Sequence, residues 1–323
     1  MFALCLFFQI YLSQLEDTFT RCKKNIQASL ILFHSFIRTF ALNKPPENTT
    51  MAKYKKYGYD IQDGKAIIPE WETEIKEEAF KDCKELTSVE LPQWIKKIGK
   101  EAFLGCENLT EITLPEWVEE IEESAFLRCS SLTSFTIPPS VTKIGDGAFS
   151  WCFSLTSIAI PPSVTEIGSS AFWYCSSLKS ISIPPSVTEI GSSAFSGCTS
   201  LTSITIPESV TKIGKSAFFG CSSLTSISIP SSVTEIGDYA FYGCSSLTSI
   251  TIPSSVRKIG YSAFSRCSSL TSISIPPSVT RIGDFFGGTF EGCSSLTEVR
   301  IPKGCHVDDD AFKDCPNVQI IRY

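Results

Sequence analysis

The 323-residue sequence predicts an α/β solenoid, a right-handed coil of about eleven 23-residue units with one parallel β-sheet face. Two spacings carry this prediction. Cysteines recur every 23 residues from Cys83 to Cys267, and prolines keep the same period from Pro69 to Pro276. A fixed period of roughly 20–50 residues is typical of proteins whose units stack and contact only their neighbours. Apolar residues make up 42% of the chain, enough to fill a continuous core once the units stack.

The first part of each unit predicts a short strand. Leu132, Phe135 and Ile137 have the spacing L-x-x-L-x-L, and the last two share one face of a strand because side chains alternate along it. Pro138 follows directly and lacks the N–H that a sheet ladder needs, so the strand ends there. Repeated in parallel, these strands form a sheet that grows by one strand per unit, and such crossovers are right-handed by default.

The second part of each unit predicts a turn and a helical segment. Gly145 suits a turn that needs a positive φ angle. Ala148 and Phe149 fit one helical turn, with the Phe149 ring packed inward and Cys152 closing the loop. One unit has too few apolar residues for a core of its own, so only stacked units are stable.

The complete unit reads A-F-x-x-C-x-x-L-T-S-I-x-I-P-x-S-V-T-x-I-G over about residues 67–321. Its L-x-x-L-x-L spacing resembles a leucine-rich repeat. The continuation I-P-x-S-V-T-x-I-G-x-x-A-F-x-x-C resembles the BspA-like type, which is found in surface antigens of bacteria and parasitic protists. The resemblance implies a leucine-rich-repeat superhelix and adhesion to host or neighbouring-cell proteins. Where other leucine-rich repeats carry an asparagine ladder, this chain carries Ser140, Ser163, Ser186, Ser209 and Ser232.

The sequence divides into three parts. Residues 1–50 differ in composition from the rest, residues 51–66 form a lead-in or N-terminal cap, and residues 67–323 form the solenoid with a C-terminal cap. The apolar run at residues 2–12 is too short to span a bilayer and lacks the basic flank of a secretory signal. Two interpretations stay open: residues 1–50 are a weak signal sequence, or translation starts at Met51.

Charge is unevenly distributed along the chain. A net charge of −6 argues against a nucleic-acid partner. The first units are rich in Glu, whereas residues 130–283 are rich in Ser and Thr and nearly uncharged. The charged first units are interpreted as a cap that keeps the end of the solenoid soluble. The alternative interpretation is that they form an acidic docking surface. A three-residue insertion around residues 284–288 forms either a local binding bulge or a loop of no functional importance. The three aspartates at residues 308–310 favour a solvated turn over a calcium site.

The cysteine ladder favours a column of buried thiols over disulfides. Equivalent side chains point in parallel, which suits the disulfide dihedral poorly, and an odd number cannot pair completely. Cys305 and Cys315 could form a bridge in the C-terminal cap in an oxidising compartment. No protease, esterase, phosphate-binding or CxxC motif is present, so we predict no catalytic residue, no metal ligand, no cofactor and no enzymatic activity.

Two sets of residues are candidates for binding. The first set flanks the central apolar residue of each strand. These residues predict an exposed lattice of hydroxyl groups, two per strand. Binding of this lattice to ice or an ordered polysaccharide is a minor alternative function. These residues are Ser134, Thr136, Ser180, Ser182, Ser203, Thr205, Ser226, Ser228, Ser249 and Thr251.

The second set contains aromatic residues around the A-F-x-x-C loop that the repeat core does not require. They predict either packing between adjacent loops or a protein-contact edge, since Trp and Tyr dominate interface energies. These residues are Trp151, Phe153, Trp173, Tyr174, Phe219 and Tyr242.

Together these features predict a non-enzymatic protein-binding repeat protein. The resemblance implies a cell-surface or secreted adhesion or host-interaction antigen, and the alternative is an intracellular interaction scaffold. We expect a protein partner, no nucleic acid and no small-molecule substrate. Membrane association is expected only if residues 1–50 are a real targeting signal.

Overall fold

The computed structural model describes residues 59–283 and 288–323. These residues form a parallel β-solenoid of about 11 turns with a spacing of about 23 residues, which confirms the predicted solenoid and its period. The predictions for residues 1–50 and for Met51 lie outside the described residues, as does most of the insertion after Gly283.

Each repeating unit contributes two short parallel strands, so the solenoid has two ladders where the sequence predicted one sheet face. The first ladder consists of β1 and the even-numbered strands, and the second consists of the odd-numbered strands from β3. In chain order the strands are β1 (Asp60–Gln62), β2 (Lys65–Ile67), β3 (Glu74–Ile75), β4 (Ser88–Glu90), β5 (Lys97–Ile98), β6 (Glu111–Ile112), β7 (Glu120–Ile121), β8 (Ser134–Thr136), β9 (Lys143–Ile144), β10 (Ser157–Ala159), β11 (Glu166–Ile167), β12 (Ser180–Ser182), β13 (Glu189–Ile190), β14 (Ser203–Thr205), β15 (Lys212–Ile213), β16 (Ser226–Ser228), β17 (Glu235–Ile236), β18 (Ser249–Thr251), β19 (Lys258–Ile259), β20 (Ser272–Ser274), β21 (Arg281–Ile282), β22 (Glu298–Ile301), β23 (His306–Val307) and β24 (Gln319–Arg322).

The second ladder is interrupted where like charges meet. Most of its neighbouring strands present opposite charges, as Lys143 and Glu166 do at 2.9 Å. Strand pairing stops between β11 and β13, where Glu166 faces Glu189, and between β19 and β21, where Lys258 faces Arg281. Like charges directly opposite each other destabilise strand pairing, and both interruptions of the second ladder fall at such positions.

A column of phenylalanine rings runs through the core. Ten rings from Phe80 to Phe290 are almost completely buried, and successive rings stack with centroids 5.2–5.6 Å apart. Tyr59 extends the column at one end and Phe312 at the other, each at 5.3 Å. Every unit therefore supplies one ring that is buried only because the adjacent units cover both of its faces.

The helical turn predicted at Ala148 and Phe149 is not formed, and the described residues contain no helix. The N–H of Phe149 donates to the carbonyl of Ala171 in the next unit at 2.8 Å. An N–H that points to the next unit cannot close the bond to residue i−4 that an α-helix requires. The segment instead consists of tight turns, with the Ala148 N–H bonded to the Gly145 carbonyl at 3.2 Å.

The prediction that Gly145 adopts a positive φ angle is also wrong. The positive angles lie at Gly147 and Trp151, both at 62°. Gly145 is required for close packing between units, because a Cβ atom there would lie 2.5 Å from the backbone carbon of Glu122.

The cysteine ladder is a column of thiol–carbonyl hydrogen bonds. From Cys106 to Cys315, each ladder thiol donates to the carbonyl of the core phenylalanine in the preceding unit, at 3.0–3.3 Å. The twelve cysteines among the described residues are all free and buried, as the buried-thiol interpretation predicts. The Cys305–Cys315 bridge is not formed, because the Cys315 thiol bonds Phe290 and the Cys305 thiol faces the His306 carbonyl at 3.6 Å.

Replacing Cys198 with alanine should lower the free energy of unfolding by about 1–2 kcal/mol, because it removes a buried sulfur and its hydrogen bond to Phe172. The Phe172 carbonyl keeps the Cys175 N–H at 3.2 Å, which limits the loss. Urea denaturation measures the change. The control is Cys305→Ala, in which the lost thiol faces only its neighbour's carbonyl. Equal losses in the two variants would show that the thiol ladder does not stabilise the stack.

Stability should also fall at alkaline pH. Burial raises the pKa of the Cys152, Cys221 and Cys267 thiols from 9.0 to about 12. Above pH 9 the unfolded chain loses these protons while the folded chain keeps them, so the unfolded state gains stability as pH rises toward 12. Urea midpoints measured between pH 8 and 11 should decrease, and less steeply when all three cysteines are alanine. Midpoints that do not change with pH in the wild-type protein would contradict this.

Candidate interaction surfaces

Four of the six predicted aromatic residues form one half-buried cluster. The Trp151 ring lies 5.4 Å from Phe153, 5.6 Å from Trp173 and 5.0 Å from Tyr174. Each ring keeps part of its surface exposed. The rings are therefore packed against adjacent loops, and their outer edges also form an aromatic patch that a partner could contact.

The other two predicted aromatics lie in a second group. Phe219 stacks on Tyr242 at 4.8 Å, and the Arg266 guanidinium lies 5.5 Å from the centre of the Tyr242 ring. Tyr239 and Tyr261 extend the group and were not predicted. The structure thus separates the six predicted residues into two patches rather than one continuous edge.

The hydroxyl lattice lies where the sequence places it. All ten predicted Ser and Thr residues are exposed and flank a buried apolar residue. In the pair β12 and β14, Ser180 lies beside Ser203 and Ser182 beside Thr205. The first ladder is divided into five short sheets, so pairing does not run unbroken along this face. Binding of an ordered surface stays a prediction.

The most exposed aromatic surface was not predicted. Trp71, Trp94 and Trp117, here called the tryptophan row, are 79%, 53% and 61% exposed. Each lies in a tight turn after the proline that ends a first-ladder strand. In the first of these turns, the N–H of Glu72 donates to the carbonyl of Pro69 at 3.0 Å. The indoles thus project from the tips of three successive turns.

Later units carry a serine at the position that is tryptophan in the first three units. The serine side chain points inward. Ser163 donates to the Val141 carbonyl at 2.7 Å, and Ser209 donates to the Val187 carbonyl at 2.6 Å. An indole is too large for this contact and points outward. The sequence does contain a signal for the row. A tryptophan recurs at the 23-residue period at a position where other units have a small, inward-pointing residue.

An open groove lies between two indoles of the row. Trp94 and Trp117 line it together with Thr73 and Lys96. The residues that follow the indoles are linked from unit to unit, since Lys96 donates its N–H to the Thr73 carbonyl and Glu119 donates to the Lys96 carbonyl, both at 2.8 Å. The backbone therefore holds neighbouring indoles one unit apart.

The units that carry the row are strongly acidic. Residues 67–123 contain sixteen Asp or Glu and six Lys, a net charge of −10. Several of the lysines form ion pairs with neighbouring glutamates. For example, Lys97 donates a hydrogen bond to Glu122 at 2.8 Å, which raises the pKa of the lysine. Glu70 and Glu116, next to Trp71 and Trp117, have no ion pair with a basic group of a described residue.

The charged and thiol side chains of the C-terminal unit contact other groups of the protein. Asp308 pairs with Arg281 at 2.8 Å and contacts His306 at 2.9 Å. The Cys305 thiol faces the His306 carbonyl rather than its ring, and burial raises the pKa of that thiol. No metal-binding group of His, Cys, Asp and Glu occurs within the described ranges. In the same residues, no helix is long and apolar enough to cross a membrane.

Two ladders, a buried cysteine column and variable surface loops define a leucine-rich-repeat solenoid. The family model described as the BspA type leucine rich repeat region, with six copies, matches residues 73–202 and 188–319. The chain therefore belongs to the BspA-type leucine-rich repeat family.

Several solved structures are similar to the chain. A leucine-rich repeat protein from Bacteroides ovatus ATCC 8483 is 28% identical, with 80% of this chain and 92% of that chain covered and a TM-score of 0.44. A leucine rich cell surface protein from Faecalibacterium prausnitzii A2-165 is 27% identical, with coverages of 82% and 92% and a TM-score of 0.47. The pneumococcal vaccine antigen PcpA is 20% identical, with coverages of 80% and 79% and a TM-score of 0.49. No curated protein matches the chain.

The two tryptophan groups should respond differently to substitution. Trp117→Ser should change the free energy of unfolding by less than about 0.5 kcal/mol, because the indole is exposed and serine is the residue of later units. Trp151→Ala should lower it by about 1–3 kcal/mol, because three ring contacts are lost. Guanidinium denaturation followed by circular dichroism measures both. Equal losses would show that the indole of Trp117 is packed.

Proposed function

We propose that the protein is a non-enzymatic, protein-binding repeat protein that acts in adhesion or host interaction at the cell surface or after secretion. The proposal rests on exposed aromatic side chains that are not part of the hydrophobic core. Trp71, Trp94 and Trp117 are exposed in turns, and the cluster around Trp151 is half exposed. Aromatic side chains supply much of the binding energy at protein interfaces, and large exposed apolar groups mark interaction sites.

The solenoid supports such a role through its rigidity. Backbone hydrogen bonds join every pair of adjacent units in the turn that contains the core phenylalanine, and most pairs also in one or both ladders. A preformed surface loses less conformational entropy on binding than a flexible one. The leucine-rich repeat is generally a non-enzymatic interaction fold, and the BspA type resembles surface antigens, which favours an extracellular partner.

An intracellular interaction scaffold is the second candidate. The observation that favours it is the set of twelve free cysteines among the described residues. Reduced thiols are typical of cytosolic proteins, whereas small secreted proteins often form disulfides. Here, however, burial and the carbonyl contacts protect the thiols, so free cysteines are also compatible with an extracellular location.

Surface labelling distinguishes the two candidates. Intact cells that express the protein are treated with a membrane-impermeant amine reagent, and labelled peptides are identified by mass spectrometry. We expect labelling at Lys84 and Lys258, whose side chains are 64% and 67% exposed. A cytosolic protein of the same cells is the control. Labelling that appears only after lysis would contradict the extracellular proposal and favour the scaffold.

Binding to cells tests the protein partner directly. Beads coated with the purified protein should bind host cells, and trypsin digestion of those cells' surface proteins should abolish binding. The Trp71→Ser, Trp94→Ser, Trp117→Ser variant tests the row, and Trp151→Ala tests the cluster. Binding that survives trypsin would contradict a protein partner.

A further inference from the structure

The tryptophan row lies in three turns, and two of these turns also carry a glutamate beside the indole. Glu70, Gln93 and Glu116 each directly precede a tryptophan of the row, at the tip of the turn. The Glu70 and Glu116 side chains are exposed, and neither forms an ion pair within the described residues. Each of these two turns therefore presents an indole face and a free carboxylate side by side.

This combination is complementary to a cationic side chain. A guanidinium or ammonium group binds favourably over an indole face, and a neighbouring carboxylate adds an ion pair. The chain itself contains such a contact, where the Arg266 guanidinium lies over the Tyr242 ring at 5.5 Å. No equivalent partner covers the indoles of Trp71, Trp94 or Trp117 among the described residues.

We propose that the tryptophan row and its flanking glutamates bind an extended, Arg- or Lys-rich segment of a partner protein. The net charge of −10 over residues 67–123 attracts such a segment, whereas residues 130–283 contain six acidic and eight basic residues and do not. This inference rests on the proposed protein-binding function and names the chemistry of the partner.

The dimensions of the row fit a short stretch of extended chain. Adjacent units lie about 4.8 Å apart, so the three indoles span about 10 Å. An extended polypeptide rises about 3.3 Å per residue, so about three or four residues cover the row. The open groove between Trp94 and Trp117 would take an aliphatic stem of a Lys or Arg side chain, with its charged end toward Glu116.

The test is a binding measurement with the full chain and fluorescein-labelled hexa-arginine, followed by anisotropy at several salt concentrations. Hexaglutamate and hexaserine are the comparison peptides. We expect saturable binding of hexa-arginine alone, weakened by salt, together with protection of the exposed tryptophans from acrylamide quenching. Trp94→Ser with Trp117→Ser should weaken binding by about ten-fold, because two cation–π contacts are lost. Glu70→Gln with Glu116→Gln should weaken it by about five-fold.

A charge-matched control separates the site from general attraction. Glu111→Gln with Glu189→Gln removes the same charge at exposed positions outside the row and should change affinity by less than about two-fold. An equal loss in this control, unchanged affinity in the tryptophan variant, or binding of hexaserine as tight as that of hexa-arginine would each overturn the proposal. The assay uses purified components, so its outcome does not depend on whether the protein binds cells. If cell binding requires the tryptophan row but the protein does not bind hexa-arginine, the row still binds a protein partner. That result would overturn only the proposal that the partner segment is rich in Arg or Lys.

Discussion

The structure depends on hydrogen bonding between successive units at a fixed 23-residue step. Each unit is joined to the next through the N–H of the core phenylalanine, as Phe149 is joined to Ala171, and most neighbouring units are also paired in one or both ladders. These groups are buried or near the core, where an unpaired N–H is unfavourable. A unit of another length is accepted only if its extra residues leave these contacts in place. The insertion after Gly283 meets this condition, since β20 pairs with β22, β21 pairs with β23, and the Phe264 N–H donates to the Thr289 carbonyl at 2.9 Å.

The same constraint determines which positions can vary. The phenylalanine column, the thiol column and Gly145 each touch the preceding unit, so their size and shape are restricted. The residues at turn tips and on the outer sides of the strands meet solvent and are free to change. Charge, hydroxyl groups and aromatic rings therefore differ between units at these positions, and functional differences between the ends of the solenoid arise there.

The period, the first-ladder strands, the buried thiols and the exposed hydroxyl face could be predicted because each follows from spacing and side-chain alternation. The second ladder was harder to predict, since two-residue strands such as Lys143–Ile144 give no alternation. The turn at Ala148 and Phe149 looks helical locally, and only the Ala171 carbonyl of the next unit diverts the N–H of Phe149 from a helical bond. The tryptophan row was missed because one tryptophan per unit carries no signal until the units are aligned with each other.

The nearly uncharged middle units have a consequence for how the molecule varies in length. Their contacting surfaces are almost the same from one unit to the next, because the phenylalanine, thiol and glycine positions repeat throughout residues 130–283. A gene duplication or deletion of 69 nucleotides in this stretch adds or removes one whole turn and preserves both ends. The distance between the tryptophan row and the C-terminal unit then changes in steps of about 4.8 Å, so recombination can alter the reach of the molecule without altering its binding surface.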